Sequence, residues 1–154
     1  MENPLVAIIV GSTSDRTFAE HTEKYLTYFG IPFVSRVLSA HRNAGELTAF
    51  LKQAEAEGVQ VFIAQAGMAA HLPGVIAAQT ARPVVGVPLP GSALNGVDAL
   101  LSEVQMPSGI PVATLAIGKA GAVNAAVLAA EILALSHPEI AVKLKEFRSR
   151  GAKL

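Results

Sequence analysis

A histidine beside an arginine, in Ser39-Ala40-His41-Arg42, stands where an apolar run gives way to a helical pattern. Imidazole takes and returns a proton near neutrality, and a guanidinium offers a forked donor to phosphate or carboxylate. At the carboxyl end of a buried strand, the pair sets a proton carrier next to an anion anchor. A surface His and Arg at a helix start, with Ser39 or Asn43 as cap, explains the same residues equally well in isolation. A second polar turn, Gly11-Ser12-Thr13-Ser14-Asp15, follows the first apolar run. Small hydroxyl residues and free N–H groups at a helix start favour an anion there. The turn lacks both the lysine of a Walker loop and the glycine spacing of a dinucleotide fingerprint. Asp15 would repel a phosphate, so sugar hydroxyls suit it better; Ser14 or Asp15 could equally do no more than cap the helix. A third turn, Gly67-Met68-Ala69-Ala70-His71-Leu72-Pro73, is built from small residues that let backbone approach a planar ligand. His71 reads there as a histidine satisfied within the turn, in preference to a second acid or base. His21 and His137 read as helix-face and helix-boundary residues. No His/Asp/Glu grouping has metal-ligand spacing, and no serine elbow is visible.

These turns need a scaffold that brings them to one edge. Residues 5–10, 59–66, 84–88 and 112–117 form near-continuous apolar runs, as strands covered on both faces should. The run 33–38 is more polar, with Ser35 and Arg36, and suits a place nearer an edge. Helical spacing links Phe18, His21, Tyr25, Leu26 and Phe29, with Gly30 as C-cap. Leu47, Phe50, Leu51 and Ala54 repeat the pattern up to Gly58, and 72–79 predicts a shorter helix. Residues 122–135 predict a long helix, apolar almost all round, and about 138–150 a last amphipathic one with Pro138 in its first turn. The alternation predicts a single α/β domain over 1–154, an open parallel sheet of about five strands with helices on both faces. Ligands of such sheets bind beyond the carboxyl ends of the strands, near the switch in strand order. Residues 11–15, 39–43, 67–71 and 88–98 all lie at those ends. The Pro/Gly content of 88–98 predicts a loop able to close over a ligand. The turn 105–111 reads as a possible subunit contact, and 118–122 as a helix start whose role is packing at least as much as binding.

Composition narrows the function classes. At 154 residues, 51% of them hydrophobic and 16% charged, a monomer would leave apolar helix faces in water, which predicts a homo-oligomer. Twelve basic and twelve acidic residues cancel without a Lys/Arg stripe, arguing against nucleic acid and anionic membrane as partners. The absence of Cys excludes disulfides, thiolate catalysis and thiolate zinc sites. Met1-Glu2-Asn3-Pro4 leads directly into a strand, so no signal peptide is expected, and the apolar stretches are too short to span a bilayer. A cytoplasmic protein is the expectation.

Five segments together carry a specific resemblance: Gly11-Ser12-x-Ser14-Asp15, Ser39-Ala40-His41-Arg42, Ala69-Ala70-His71-Leu72-Pro73-Gly74, Val104-Gln105-Met106-Pro107 and Leu115-Ala116-Ile117-Gly118. In this order and spacing, from residue 6 to about 135, the chain resembles the N5-carboxyaminoimidazole ribonucleotide mutases of purine biosynthesis, in their bacterial class I form. The resemblance implies a three-layer α/β/α flavodoxin-like subunit and a homo-octamer with active sites shared between neighbours, the C-terminal helix against an adjoining subunit. It implies a small-molecule ribonucleotide as substrate, and neither a metal nor an organic cofactor. The implied reaction moves a carboxylate from the exocyclic nitrogen of an aminoimidazole ribonucleotide to ring carbon C4, through decarboxylation, retention of CO2 and recarboxylation. Carried over by position, Ser12 and Arg42 hold the 5′-phosphate with Ser39 assisting and Ser14 beside them. Asp15 binds the ribose hydroxyls, and His41 is the proton shuttle. Gly67, Met68, Ala69 and Ala70, followed by His71 and Leu72, surround the carboxylate and the ring.

The chain departs from that pattern twice. Met68 stands where the family usually has glycine, and Asn43-Ala44 where it usually has Thr-Pro, with Asn43 still able to cap the next helix. The segment 69–73 sides with the bacterial form against the animal-type branch, which takes CO2 directly. Two other readings stand beside the mutase: a carboxylase joining free CO2 to aminoimidazole ribonucleotide, and a flavodoxin-like module that binds a nucleotide without chemistry. The scarcity of aromatics near the binding turns weighs against the module.

Overall fold

The residues described in the computed structural model are 3–154; Met1 and Glu2, where the leaderless start was expected, lie outside them. Val6–Val10 (β1) and Val84–Leu89 (β4) are buried along their whole length, and Val61–Gly67 (β3) is buried up to its last residue. Only a strand with helices on both faces keeps both alternating sets of side chains from water. The more polar Phe33–Val37 (β2) takes one edge, as its composition predicts, and Ala113–Thr114 (β5) the other. All pairings are parallel, in the order β2-β1-β3-β4-β5. The register sets Val10 beside both Val37 and Gln65, so β1 and β2 end level, β3 runs two residues further to Gly67, and their following loops share one rim.

The two faces of β1 separate two cores. Val6, Ile8 and Val10 pack towards Arg16–Phe29 (α1), Lys119–Leu133 (α5) and Pro138–Ser149 (α6). Ala7 and Ile9 face Ala44–Ala56 (α2) and His71–Ala77 (α3). The expected three-layer sheet, with helices on both sides, is therefore what the chain forms. Along α5, Ala122, Ala125, Ala126, Ala129 and Ala130 are fully buried, and their small side chains let α1 lie close. One polar seam crosses this core: Gln65 Nε2 donates to Thr22 Oγ1 (2.7 Å), which itself donates to the Ala122 carbonyl (2.8 Å). On α6, Ile140 and Phe147 are buried, and Phe147 meets Phe29 and Tyr25 edge-on, at 5.3 and 5.9 Å between ring centroids.

Between β4 and β5, in the stretch that separates the loop expected at 88–98 from the turn expected at 105–111, the chain forms a helix that the sequence reading does not assign. Val97–Val104 (α4) starts after Gly96, whose φ is 87° and where a Cβ would stand 2.7 Å from Ile117 Cγ2. Its pattern is inverted. Val97, Leu101 and Val104 are half or more exposed, whereas Ala99 and Glu103 are fully buried. Glu103 packs against Gly86 of β4, where a Cβ would come within 2.6 Å of its Oε2. Neither of its carboxylate oxygens has a hydrogen-bond partner among the described residues. Burial without a partner pushes that carboxyl up to about 9, so at neutral pH it holds its proton. β5 is shorter than the apolar run 112–117 suggests, and α5 begins at Lys119 rather than 122.

Candidate active site

The loops following β1, β2, β3 and β4 converge on one open cavity of about 810 Å3. This is the edge of the sheet where strand order turns, β1 having β2 on one side and β3 on the other.

Beyond β1, Ser12 is extended (φ −149°) and opens a single 3-10 turn, Thr13–Asp15. Neither Ser12 nor Asp15 makes a side-chain cap to the helices that follow them. The Oγ atoms of Ser12 and Ser14 lie 2.5 Å apart, and Ser12 Oγ also donates to Asp15 Oδ2 at 3.2 Å. The turn is thus a cluster of oxygens facing the cavity, and the capping-only explanation of Ser14 and Asp15 does not describe it. Burial raises the Asp15 carboxyl above its ordinary value, while the hydrogen bonds from Ser12 pull it back. Phe18, on the first turn of α1, also lines the cavity; its helical spacing marked it only as a packing residue. Its place three residues beyond Asp15, on a helix starting at the rim, is the signal that could have found it.

Beyond β2, Ser39 organises the turn. Its Oγ accepts from the backbone N–H of both His41 and Arg42, each at 3.2 Å. Its own N–H donates to Asn43 Oδ1 at 2.7 Å. Asn43 occupies the N-cap position of α2 yet makes no side-chain cap, so the expected capping role is corrected: its carbonyl oxygen is already engaged by Ser39. This bonding leaves His41 and Arg42 exposed on the cavity side. The Arg42 guanidinium has no hydrogen bond or ion pair among the described residues.

Beyond β3, the turn is closed by a hydrogen bond from Ala70 N–H to the Gly67 carbonyl (3.0 Å), and Ser102 Oγ of α4 donates to the Ala69 carbonyl. Met68 (φ 57°) and Ala70 (φ 43°) hold left-handed conformations that glycine adopts freely, at a cost of about 1–2 kcal/mol each. Gly67 admits no larger residue easily, since its Cβ would sit 3.2 Å from the Leu89 carbonyl oxygen. Ala70 and Leu72 are buried in the cavity floor, whereas Met68 and Ala69 are exposed at its rim. Pro90 and Gly91, after β4, complete the lining.

His71 is where the structure differs most from expectation. It is not satisfied within its turn. It is exposed, and its Nδ1 lies 2.6 Å from Nε2 of His41, thirty residues earlier in the chain. The rings meet edge-on, 4.8 Å between centroids and 86° between planes. One nitrogen donates to the other, which of them depending on the tautomer, so the pair has the geometry to pass a proton between the rings. His21 and His137 lie outside the cavity lining, His137 pairing with Glu139 at 3.3 Å. Among the described residues, no three His, Asp or Glu side chains are grouped to hold a metal ion. What converges is a pocket lined by serine and aspartate oxygens, a guanidinium without a partner among the described residues, a hydrogen-bonded imidazole pair and a small-residue wall.

Comparison with known proteins agrees over the whole fold. The family model described as AIR carboxylase matches residues 5–153. The N5-carboxyaminoimidazole ribonucleotide mutase of Pseudomonas aeruginosa is 55% identical over 145 residues, which is 94% of this chain and 89% of that protein. Its Escherichia coli K12 counterpart, a protein of the same name, is 52% identical over 143 residues, 93% of this chain and 85% of the other. Among solved structures, Treponema denticola PurE superposes with a TM-score of 0.88 at 35% identity, covering 97% of this chain and 92% of that one.

Proposed function

The chain belongs to the AIR carboxylase family, and on that footing we propose that it is an N5-carboxyaminoimidazole ribonucleotide mutase, an isomerase of purine biosynthesis. The observation that carries the mechanism is the His41–His71 contact beside the serine loop, with Arg42 unpaired on the same cavity wall.

In this proposal Arg42, Ser12 and Ser14 take the 5′-phosphate, with Ser39 fixing the turn that presents Arg42, and Asp15 accepts from the ribose hydroxyls. Binding energy at the remote phosphate then orients the heterocycle against the imidazoles. The exocyclic N–C bond breaks with its electron pair left on nitrogen, releasing CO2, and His41 gives that nitrogen a proton. Carbon C4 then attacks the retained CO2 through its ring electron pair. His41 removes the C4 proton, restoring the aromatic ring and its own starting state. Protons balance within one turnover, and His71 holds or relays the charge on His41. The wall from Gly67 to Ala70, with Leu72 beneath it, surrounds the reacting end.

The test is His41→Asn assayed with the purified carbamate. Turnover is expected to fall by about 10²–10⁴-fold while ribonucleotide binding changes little. A wild-type rate in that variant removes His41 from the mechanism. Because the matching family is described by a carboxylase activity, the wild type should also be assayed with aminoimidazole ribonucleotide plus bicarbonate. A higher efficiency there than with carbamate favours direct carboxylation instead.

The proposal extends to assembly and location. Leu94, Val97, Leu101 and Val104 are all half or more exposed on and beside α4, an apolar face suited to subunit contact in a homo-oligomer, for which an octamer is the form proposed. The same exposure bears on α6, whose Val142 remains open on the side away from the core. Among the described residues no helix is long and apolar enough to cross a membrane. The cytoplasm, where phosphorylated ribonucleotides are retained, is the proposed site of action.

A further inference from the structure

Met68 is unexplained by folding. It belongs to neither core cluster, 67% of its surface is exposed, and its backbone is held at a φ of 57° that a glycine would adopt without strain. The turn that carries it is pinned on both sides, by Ala70 N–H on the Gly67 carbonyl and by Ser102 on the Ala69 carbonyl. The backbone is therefore fixed while the side chain stands exposed at the cavity rim. Among residues 67–71 and 90–91, which form this rim of the cavity, Met68 alone carries a long flexible apolar side chain. The rest of the lining sets hydroxyl, carboxylate, guanidinium and imidazole groups beside the ring of Phe18 and the buried Leu72. An unbranched thioether adapts its shape to what lies beneath it better than any other apolar side chain.

We propose that Met68 is the cover that keeps CO2 in the cavity between its release from nitrogen and its capture at C4. The proposal rests on the mutase reading and adds to it a residue that sets how often the intermediate escapes. Carbon dioxide is small, uncharged and a poor hydrogen-bond acceptor, so the polar groups of the lining cannot hold it. What retains it is an obstacle that keeps water out and stays in place longer than recapture takes. A glycine at this position, as the family usually has, leaves that side of the rim lower, so Met68 tightens a retention that the rest of the site already provides.

The experiment compares wild type, Met68→Gly and Met68→Leu on carbamate carrying a 13C-labelled carboxylate. Excess unlabelled bicarbonate and carbonic anhydrase scavenge whatever escapes. Product is analysed by mass spectrometry for retained label, and oligomer size and Tm are measured in parallel. M68G is expected to fold with a Tm equal to or above that of wild type, because its backbone strain is relieved. Its label loss should rise about three- to tenfold. M68L, apolar and of similar size, should retain label as wild type does. Equal retention in M68G and wild type overturns the cover while leaving the mutase reading intact. Loss of assembly or of the folded state in M68G, with M68L normal, makes the side chain a packing or subunit contact and overturns it too. A wild type that transfers no label from nitrogen to C4 sinks the mutase reading itself, and this inference with it.

Discussion

Replacing Glu103 with Gln should abolish a pH dependence of stability that no active-site residue is expected to produce. The carboxyl is fully buried against Gly86, without a hydrogen-bond partner among the described residues, and is pushed up from 4.5 to about 9. Between those two values the folded chain keeps a proton that the unfolded chain has released. The contribution of this group to folding stability is thus complete below about 4.5 and is lost as pH rises towards 9, by up to about 1.4 kcal/mol per pH unit. From pH 6 to 8 the loss is at most about 3 kcal/mol, or roughly 6–12 °C in Tm for a domain of this size. Gln keeps the shape and removes the titration. Its extra buried N–H groups shift the whole curve down by about 1–3 kcal/mol without tilting it. The assay is urea unfolding of wild type and E103Q from pH 5.5 to 8.5 at one protein concentration, comparing slopes rather than offsets. Wild type should lose stability relative to E103Q steadily across that range. Parallel curves would refute the reasoning, by showing that the Glu103 carboxyl is ionised or paired in solution.

Two further outcomes follow from the same geometry. Arg42→Ala should lower kcat/KM about 10- to 100-fold, the worth of one charge-assisted hydrogen bond to phosphate, chiefly through KM; unchanged saturation kinetics would move the phosphate elsewhere. Thr22→Val preserves volume but removes the hydroxyl joining Gln65 to the Ala122 carbonyl, and should cost about 1–3 kcal/mol in chemical denaturation, with kcat little changed.

The central strands were legible because strands buried on both faces read as continuous apolar runs, and β1, β3 and β4 are such runs. α4 was not: Val97, Leu101 and Val104 recur at helical spacing, but the segment is only eight residues long and lies between two Pro/Gly-rich stretches. Its apolar stripe, moreover, marks the face turned outward, while Ala99 and an acid are buried. The site was legible as separate loops. Ser12, Asp15, His41 and Arg42 announced themselves by residue type, but the partner of His71 depends on strand order, which local spacing does not encode. Asn43 likewise looked like a helix cap until the fold offered the Ser39 N–H instead.

β1 runs between the two strands that carry the histidines, so the imidazoles reach for each other across a gap of two strand spacings, roughly 10 Å between backbones. That contact bridges the rim beyond β1, whose own loop carries Ser12 and Ser14. A ligand that moves either ring off the other breaks their shared hydrogen bond, so the ring signals of both histidines should shift together when one binds in the cavity.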